Sequence, residues 1–222
     1  METTYLGIDP DDLDDVLTKV EQSYNITFTT DELRQIDTFG QLCEAVTEKI
    51  QLVEAADCTS QQAFYKLRQS LTNVLGVERQ TIWPTTRLSV LFPKSTRRAD
   101  IRRLENDLGF GLAILMPNMY VAGVALGLLL GSMLTLFFNG SYALAGVSVS
   151  VCILLIAKPL SRRFTIGTVG ALAEKMAREH YTRARRDAST VNRGELTTHI
   201  KQLFCTDLGI DPDELRPDSV IS

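Results

Sequence analysis

Hydrophobic positions divide this chain into two regimes. Between Leu108 and Lys158 no charged side chain occurs. A run that long exceeds one membrane-spanning helix and suits two, at about 20 apolar residues each. Asn139-Gly140 interrupts it near the middle, and Asn-Gly is a strong turn signal. The pattern predicts one helix from about Met119 to Phe138 and another from about Ser141 to Leu160. Both are apolar all the way round, as a membrane hairpin would be; a hairpin buried in a soluble core is the alternative. Elsewhere apolar residues recur at helical spacing. Phe64, Leu67, Leu71 and Leu75 make one stripe, and Ile200, Leu203, Phe204 and Leu208 another.

Within the first apolar helix Gly123, Gly127 and Gly131 fall on one face, a spacing that permits close backbone approach. Ala143, Ala145, Gly146, Ser148 and Ser150 are the small partners expected on the second. Arg97, Arg98, Arg102 and Arg103 precede the hairpin; Lys158, Arg162 and Arg163 follow it; the turn between has no Lys or Arg. The positive-inside rule then places both termini in the cytoplasm, with two spans and a bacterial inner membrane as the expected setting. No ionisable group lies in mid-membrane to form an ion or proton path.

The polar flanks contain repeats. Leu6–Leu13 reads LGIDPDDL and Leu208–Leu215 reads LGIDPDEL, differing only at Asp12 against Glu214. Leu75–Pro84 (LGVERQTIWP) aligns without gaps on Leu208–Pro217 (LGIDPDELRP). Ile36–Val46 (IDTFGQLCEAV) matches Ile166–Met176 (IGTVGALAEKM), each with a Thr, Thr38 or Thr168, suited to cap a helix. A weaker pairing sets Leu17–Tyr24 against Ile101–Leu108.

In this order the segments resemble acyl carrier proteins, small acidic four-helix bundles that carry a phosphopantetheine arm on a serine at the start of the second helix. Residues 195–222 look like the first helix and its loop; residues 6–50 look like everything from the motif to the last helix. The resemblance implies an all-α protein, acyl-carrier-like four-helix bundles plus a two-helix transmembrane hairpin. Its expected divisions are a partial bundle of helices two to four over 1–57, the first half of a second bundle over 58–110, the transmembrane hairpin over 111–160, the last helix of the second bundle over 161–180, a basic linker over 181–193, and a first helix and loop over 194–222. That last piece would close the N-terminal bundle by circular permutation or by swapping between chains.

The resemblance also locates the attachment position. Pro10 stands where the serine would be, and proline has no hydroxyl to modify; it does suit a first helical turn. Lys94 occupies the matching position in the second module, with Ser95 beside it as a weak alternative attachment site. Neither module is expected to bind a cofactor. Asp9, Asp11, Asp12, Asp14 and Asp15 make the first module's second helix acidic, the face the family offers to basic partner enzymes, although acids also suit a helix N-terminus. The second module has Arg97, Arg98, Arg102 and Arg103 instead, which with Lys158, Arg162 and Arg163 form an expected membrane-surface group.

Composition narrows the chemistry. The formal net charge of −4 is too mild to imply nucleic acid. Cys43, Cys58, Cys152 and Cys205 are scattered, without metal or redox spacing, and read as buried reduced thiols. His180 and His199 are the only histidines. No nucleophile–base set or metal spacing is legible, so the expectation is no enzyme, no metal and no cofactor. The leading expectation is a membrane-anchored scaffold or binding module lacking the attachment serine and linked to fatty-acid or lipid metabolism, with membrane lipids, an unknown protein and further copies of itself as partners. The alternatives are a genuine carrier modified at Ser95 and an oligomeric membrane pore or transporter component.

Overall fold

A computed structural model describes residues 5–116, 119–135, 147–152 and 163–221. In chain order the helices are α1 (Pro10–Tyr24), α2 (Thr30–Leu33), α3 (Phe39–Lys49), α4 (Thr59–Leu75), α5 (Leu88–Leu91), α6 (Arg97–Leu108) and α7 (Met119–Thr135). Residues 147–152 are helical and are called α8; α9 (Val169–Glu179), α10 (Tyr181–Ala184) and α11 (Arg193–Leu208) follow. The protein is mostly helical. It also has two-residue strands that the all-α expectation omitted: β1 (Val53–Glu54) pairs in parallel with β4 (Thr190–Val191), and β2 (Leu115–Met116) pairs antiparallel with β3 (Arg163–Phe164). The chain divides into two compact units, Met1–Thr85 with Val169–Ser222, and Thr86–Thr168.

Local chemistry explains the helix ends. Asp9 caps α1 and Pro10 occupies its first turn, where a missing N–H costs nothing. Thr29 with Glu32, and Thr38 with Gln41, form capping boxes that start α2 and α3. Left-handed residues stop α1 (Asn25), α4 (Gly76), α6 (Gly109) and α11 (Gly209).

In the first unit the two chain ends close one core. α11 packs on α1 and α3 of the same chain. Leu196, Ile200, Leu203 and Phe204 join Val16, Val20, Phe39, Leu42 and Val46, with the Phe39 and Phe204 rings edge to face at 5.5 Å. Beyond α11 the chain threads across the start of α3: Phe39 N donates to Ser219 O at 3.0 Å and Ile221 N to Asp37 O at 3.0 Å. α4 packs on α9. Just after α10, Arg185, 1 % exposed, fastens the β1–α4 connection to β4 by donating to Thr59 Oγ1 (2.6 Å), Asp57 O (3.2 Å) and Thr190 Oγ1 (3.0 Å).

Several contacts occur twice. α4 buries Ala63, Leu67 and Leu71 where α11 buries Leu196, Ile200 and Phe204, and both helices end on a left-handed glycine. Gly40 N donates to Pro217 O at 2.8 Å, and Gly170 N to Pro84 O at 2.8 Å. A Cβ on Gly40 would stand 2.8 Å from Pro217 O, and one on Gly170 would stand 2.9 Å from Pro84 O. In the second unit Leu88 N donates to Gly167 O and Arg87 bridges Thr168, as Ile221 N donates to Asp37 O and Val220 bridges Thr38 in the first. The glycines, the prolines and Asp37, Thr38, Gly167 and Thr168 fall within the paired sequence repeats; Arg87, Leu88, Val220 and Ile221 extend the correspondence past them.

The second unit joins α6 to a short ribbon. Ile101, Leu104 and Leu108 are its buried face. Leu112 N donates to Glu105 Oε1 at 2.8 Å, Thr165 N donates to Ile114 O at 3.0 Å, and Leu115 and Met116 stand opposite Phe164 and Arg163. α7 follows, with Val124, Leu126, Leu130 and Met133 more than half exposed. Among the described residues no helix is long and apolar enough to cross a membrane. Of the two expected spans, 136–138, 141–146 and 153–160 lie outside the described residues, including Ala143, Ala145 and Gly146. Gly123, Gly127 and Gly131 are exposed, with no atom within 4 Å of where a Cβ would be. Ser132 and Ser150 are the buried described positions there, and the small residues 143–146 expected opposite the glycines lie outside the described residues.

Candidate functional site

Pro10, the position that the sequence resemblance aligns with a carrier serine, falls at the start of α1. Asp9 Oδ1 accepts from Asp11 N at 3.0 Å, and Pro10 is exposed beside it. Asp9, Asp11, Asp12, Asp14 and Asp15 are all exposed, and among the described residues none has an ion pair. Farther along, Lys19 pairs with Asp207 of α11 at 2.9 Å, tying the helix to the closing segment. α1 therefore presents a fixed, uncompensated acidic first turn and buries Val16, Val20 and Tyr24 on the opposite side.

α6 matches α1 at its end. The left-handed caps Asn25 and Gly109 correspond, as do the buried pairs Val20 with Leu104 and Tyr24 with Leu108. The beginnings differ. α1 is helical from Pro10, whereas Lys94, Ser95 and Thr96 form an exposed turn and α6 starts only at Arg97. Thr96 makes no side-chain cap. Arg97 explains the delay: its Nε and Nη2 donate to Phe92 O at 3.1 and 2.9 Å, and its guanidinium lies 4.5 Å from the Phe164 ring centre.

Arg97 is therefore not a membrane-surface residue. It is buried, and its donors are spent on a carbonyl and an aromatic face inside the unit. Arg98 is half-buried; Arg102, Arg103 and Arg163 are exposed. Arg103 pairs with Asp100 at 2.8 Å. Lys158 and Arg162 lie outside the described residues.

No protein-family model, curated protein or solved structure matches the chain.

Sequence reading missed a polar group inside the first unit. His199 is buried on α11 with Nδ1 unpartnered and Nε2 3.9 Å from Glu195 Oε2. Burial holds its imidazole below the ordinary histidine value; Arg178 adds to that shift and Glu195 opposes it. Tyr181 meets it edge to face, and Ser23 Oγ joins α1 to the α9–α10 corner by donating to Arg178 O at 2.8 Å and accepting from Tyr181 N at 3.0 Å. The signal for His199 was its place between Leu196 and Leu203 on the apolar stripe of α11. The cysteine expectation needs correction too: Cys43 is buried, its thiol pushed up to about 12 by burial, but Cys58 and Cys152 are exposed. Among the described residues no three His, Cys, Asp or Glu side chains could hold a metal ion.

A groove of about 750 Å³ runs between the 25–28 loop, α2 and α3. Glu32 and Lys49 pair across it at 2.8 Å, and that contact pulls the Glu32 carboxyl down to about 2. Its lining suits polar contact. The strongest chemical feature of the molecule is electrostatic: corresponding helices of opposite charge, each attached to a core by its apolar face.

Proposed function

We propose that this protein is a membrane-anchored, carrier-like binding or scaffolding module that carries no phosphopantetheine arm. It acts without catalysis at the cytoplasmic face of a membrane, in the service of fatty-acid or lipid metabolism. The observation that carries the reading is Pro10 in the first turn of α1. The helix keeps its exposed acidic face but has no hydroxyl at the attachment position. The twice-made proline–glycine contacts support a duplicated helical module, and the uncharged run from Leu108 to Lys158 with its exposed apolar side chains supports the anchor.

Intact mass after co-expression with a promiscuous phosphopantetheinyl transferase tests the missing arm. The expected result is the unmodified mass. A phosphopantetheine adduct on Ser95, which is exposed in the turn before α6, would replace this reading with that of a genuine carrier.

A further inference from the structure

We propose that α6 and the β2–β3 ribbon form a docking surface for anionic phospholipid headgroups, made by Arg98, Arg102 and Arg163. The inference rests on the membrane part of the proposed function and names the partner that this part of the protein meets. Arg97, the residue that sequence alone would rank with these three, is instead the positioning residue.

The charge is concentrated, and two of its three counter-charges, Asp100 and Glu105, are engaged inside the unit. Residues 86–116 and 163–168 carry seven Arg and Lys against three Asp and Glu, in a chain whose overall charge is −4. Asp100 is buried and paired to Arg103, and Glu105 accepts from Leu112 N. Arg98, Arg102 and Arg163 form no ion pair among the described residues. A cationic surface left uncompensated in this way attracts an anionic leaflet.

Position relative to the apolar segments singles out a bilayer as the source of the anions. Arg163 stands opposite Met116 in the ribbon, and Met116 is 53 % exposed, so a cation and an apolar side chain are set side by side. α7 begins at Met119, just past that strand, with its apolar side chains exposed. A basic residue beside an exposed apolar one, at the mouth of an uncharged segment, suits the level where headgroups meet acyl chains. α6 is held to this ribbon through Phe164 and to the segment leading into it through Leu112. Arg97 lies over Phe164, whose ring is also 5.9 Å from that of Phe92, and Glu105 holds Leu112 N. The orientation of Arg98 and Arg102 is thereby set relative to Arg163, rather than left to a loose basic tail.

The test uses the full chain with Trp83→Phe and Met116→Trp, which leaves one tryptophan beside Arg163. It is reconstituted in phosphatidylcholine vesicles containing brominated phosphatidylglycerol or brominated phosphatidylcholine, and quenching of the new tryptophan reports local lipid preference. The expected result is a preference of about tenfold for phosphatidylglycerol, since each surface cation contributes on the order of fivefold before screening. Arg98→Gln, Arg102→Gln and Arg163→Gln together should bring the ratio close to one, as should 1 M salt. Equal quenching by the two lipids, or a preference that survives the triple substitution, overturns the proposal. Flotation after alkaline washing separates the two levels: a chain that washes off refutes the anchor, whereas one that stays inserted without lipid preference refutes only this inference.

Discussion

α1 and α6 finish alike and begin differently. Each buries an apolar pair in its last turns and stops on a left-handed residue, Asn25 or Gly109. At the other end α1 opens on Asp9 and Pro10 with acids around it, while α6 opens late, after an exposed Lys94-Ser95-Thr96 turn and on a buried arginine. The core-facing positions and the terminator are shared because they decide whether the helix forms and packs. The first turn of α1 is exposed, so its chemistry could change without cost to the fold, whereas the first turn of α6 buries Arg97 and Asp100. The two helices thus share their core-facing ends and differ in the charge of their beginnings, acidic in α1 and basic in α6.

α4 and α11 extend the comparison into the core. Phe204 of α11 and Leu71 of α4 occupy corresponding positions and are fully buried. Phe204→Ala is expected to cost about 3–5 kcal/mol and Leu71→Ala about 2–5 kcal/mol. Hydrogen exchange should show where the loss falls. Amides of α1 and α3 should exchange faster in Phe204→Ala, because α11 packs on them, and those of α9 in Leu71→Ala. If Phe204→Ala leaves α1 and α3 protected, the C-terminal helix is not what closes the N-terminal core.

The proline–glycine contacts give the next largest effect. Alanine at Gly40 or Gly170 sets a Cβ within 3 Å of a proline carbonyl that the same residue's N–H is already holding. A backbone carbonyl cannot swing aside as a flexible side chain would. Each substitution should cost about 1–3 kcal/mol, read from the urea midpoint of unfolding. Similar losses at the two positions would support a shared docking geometry. A large loss at one with little at the other would break the equivalence.

How far the sequence spoke for itself varies among these features. Gly40 and Gly170 were visible as aligned letters in a repeat, and Thr38 as a helix cap, because caps and turns depend on neighbours in sequence. The reason for the two glycines was not visible, since it lies in the carbonyls of Pro217 and Pro84, distant along the chain. Arg97 was misjudged for the same kind of reason. In sequence it is one of four arginines around a helix start, and only Phe92 and Phe164 distinguish it from Arg98. The two-residue strands carry no period to detect, and β1 and β4 pair across more than half of the chain. Arg185 was read as part of a basic linker, yet it is among the most buried side chains in the molecule.

The smallest expected difference concerns the two near-identical eight-residue phrases. Gly7 and Gly209 both take left-handed φ, +57° and +67°, and the aspartate two residues on makes the same bond in each: Asp9 Oδ1 to Asp11 N at 3.0 Å, Asp211 Oδ1 to Asp213 N at 2.9 Å. After Asp9 the chain continues as the fifteen residues of α1; after Asp211 it makes a turn and buries Leu215. The bond is therefore a helix cap in the first phrase and a turn brace in the second. Asp9→Ala should cost about 1 kcal/mol, the usual loss for an N-cap, since Asp11 N then loses its acceptor and the helix N-terminus a nearby negative charge. Asp211→Ala should cost about 0.5 kcal/mol or less, because water can reach the exposed turn and no long helix depends on it. The paired urea midpoints measure the gap. Equal losses would mean that the cost belongs to the local Asp–Asp bond and not to the helix that follows it, and the difference between the phrases would then lie in their partners alone: Leu6 N donates to Val220 O across the closing ends, while Leu215 fills the core beneath them.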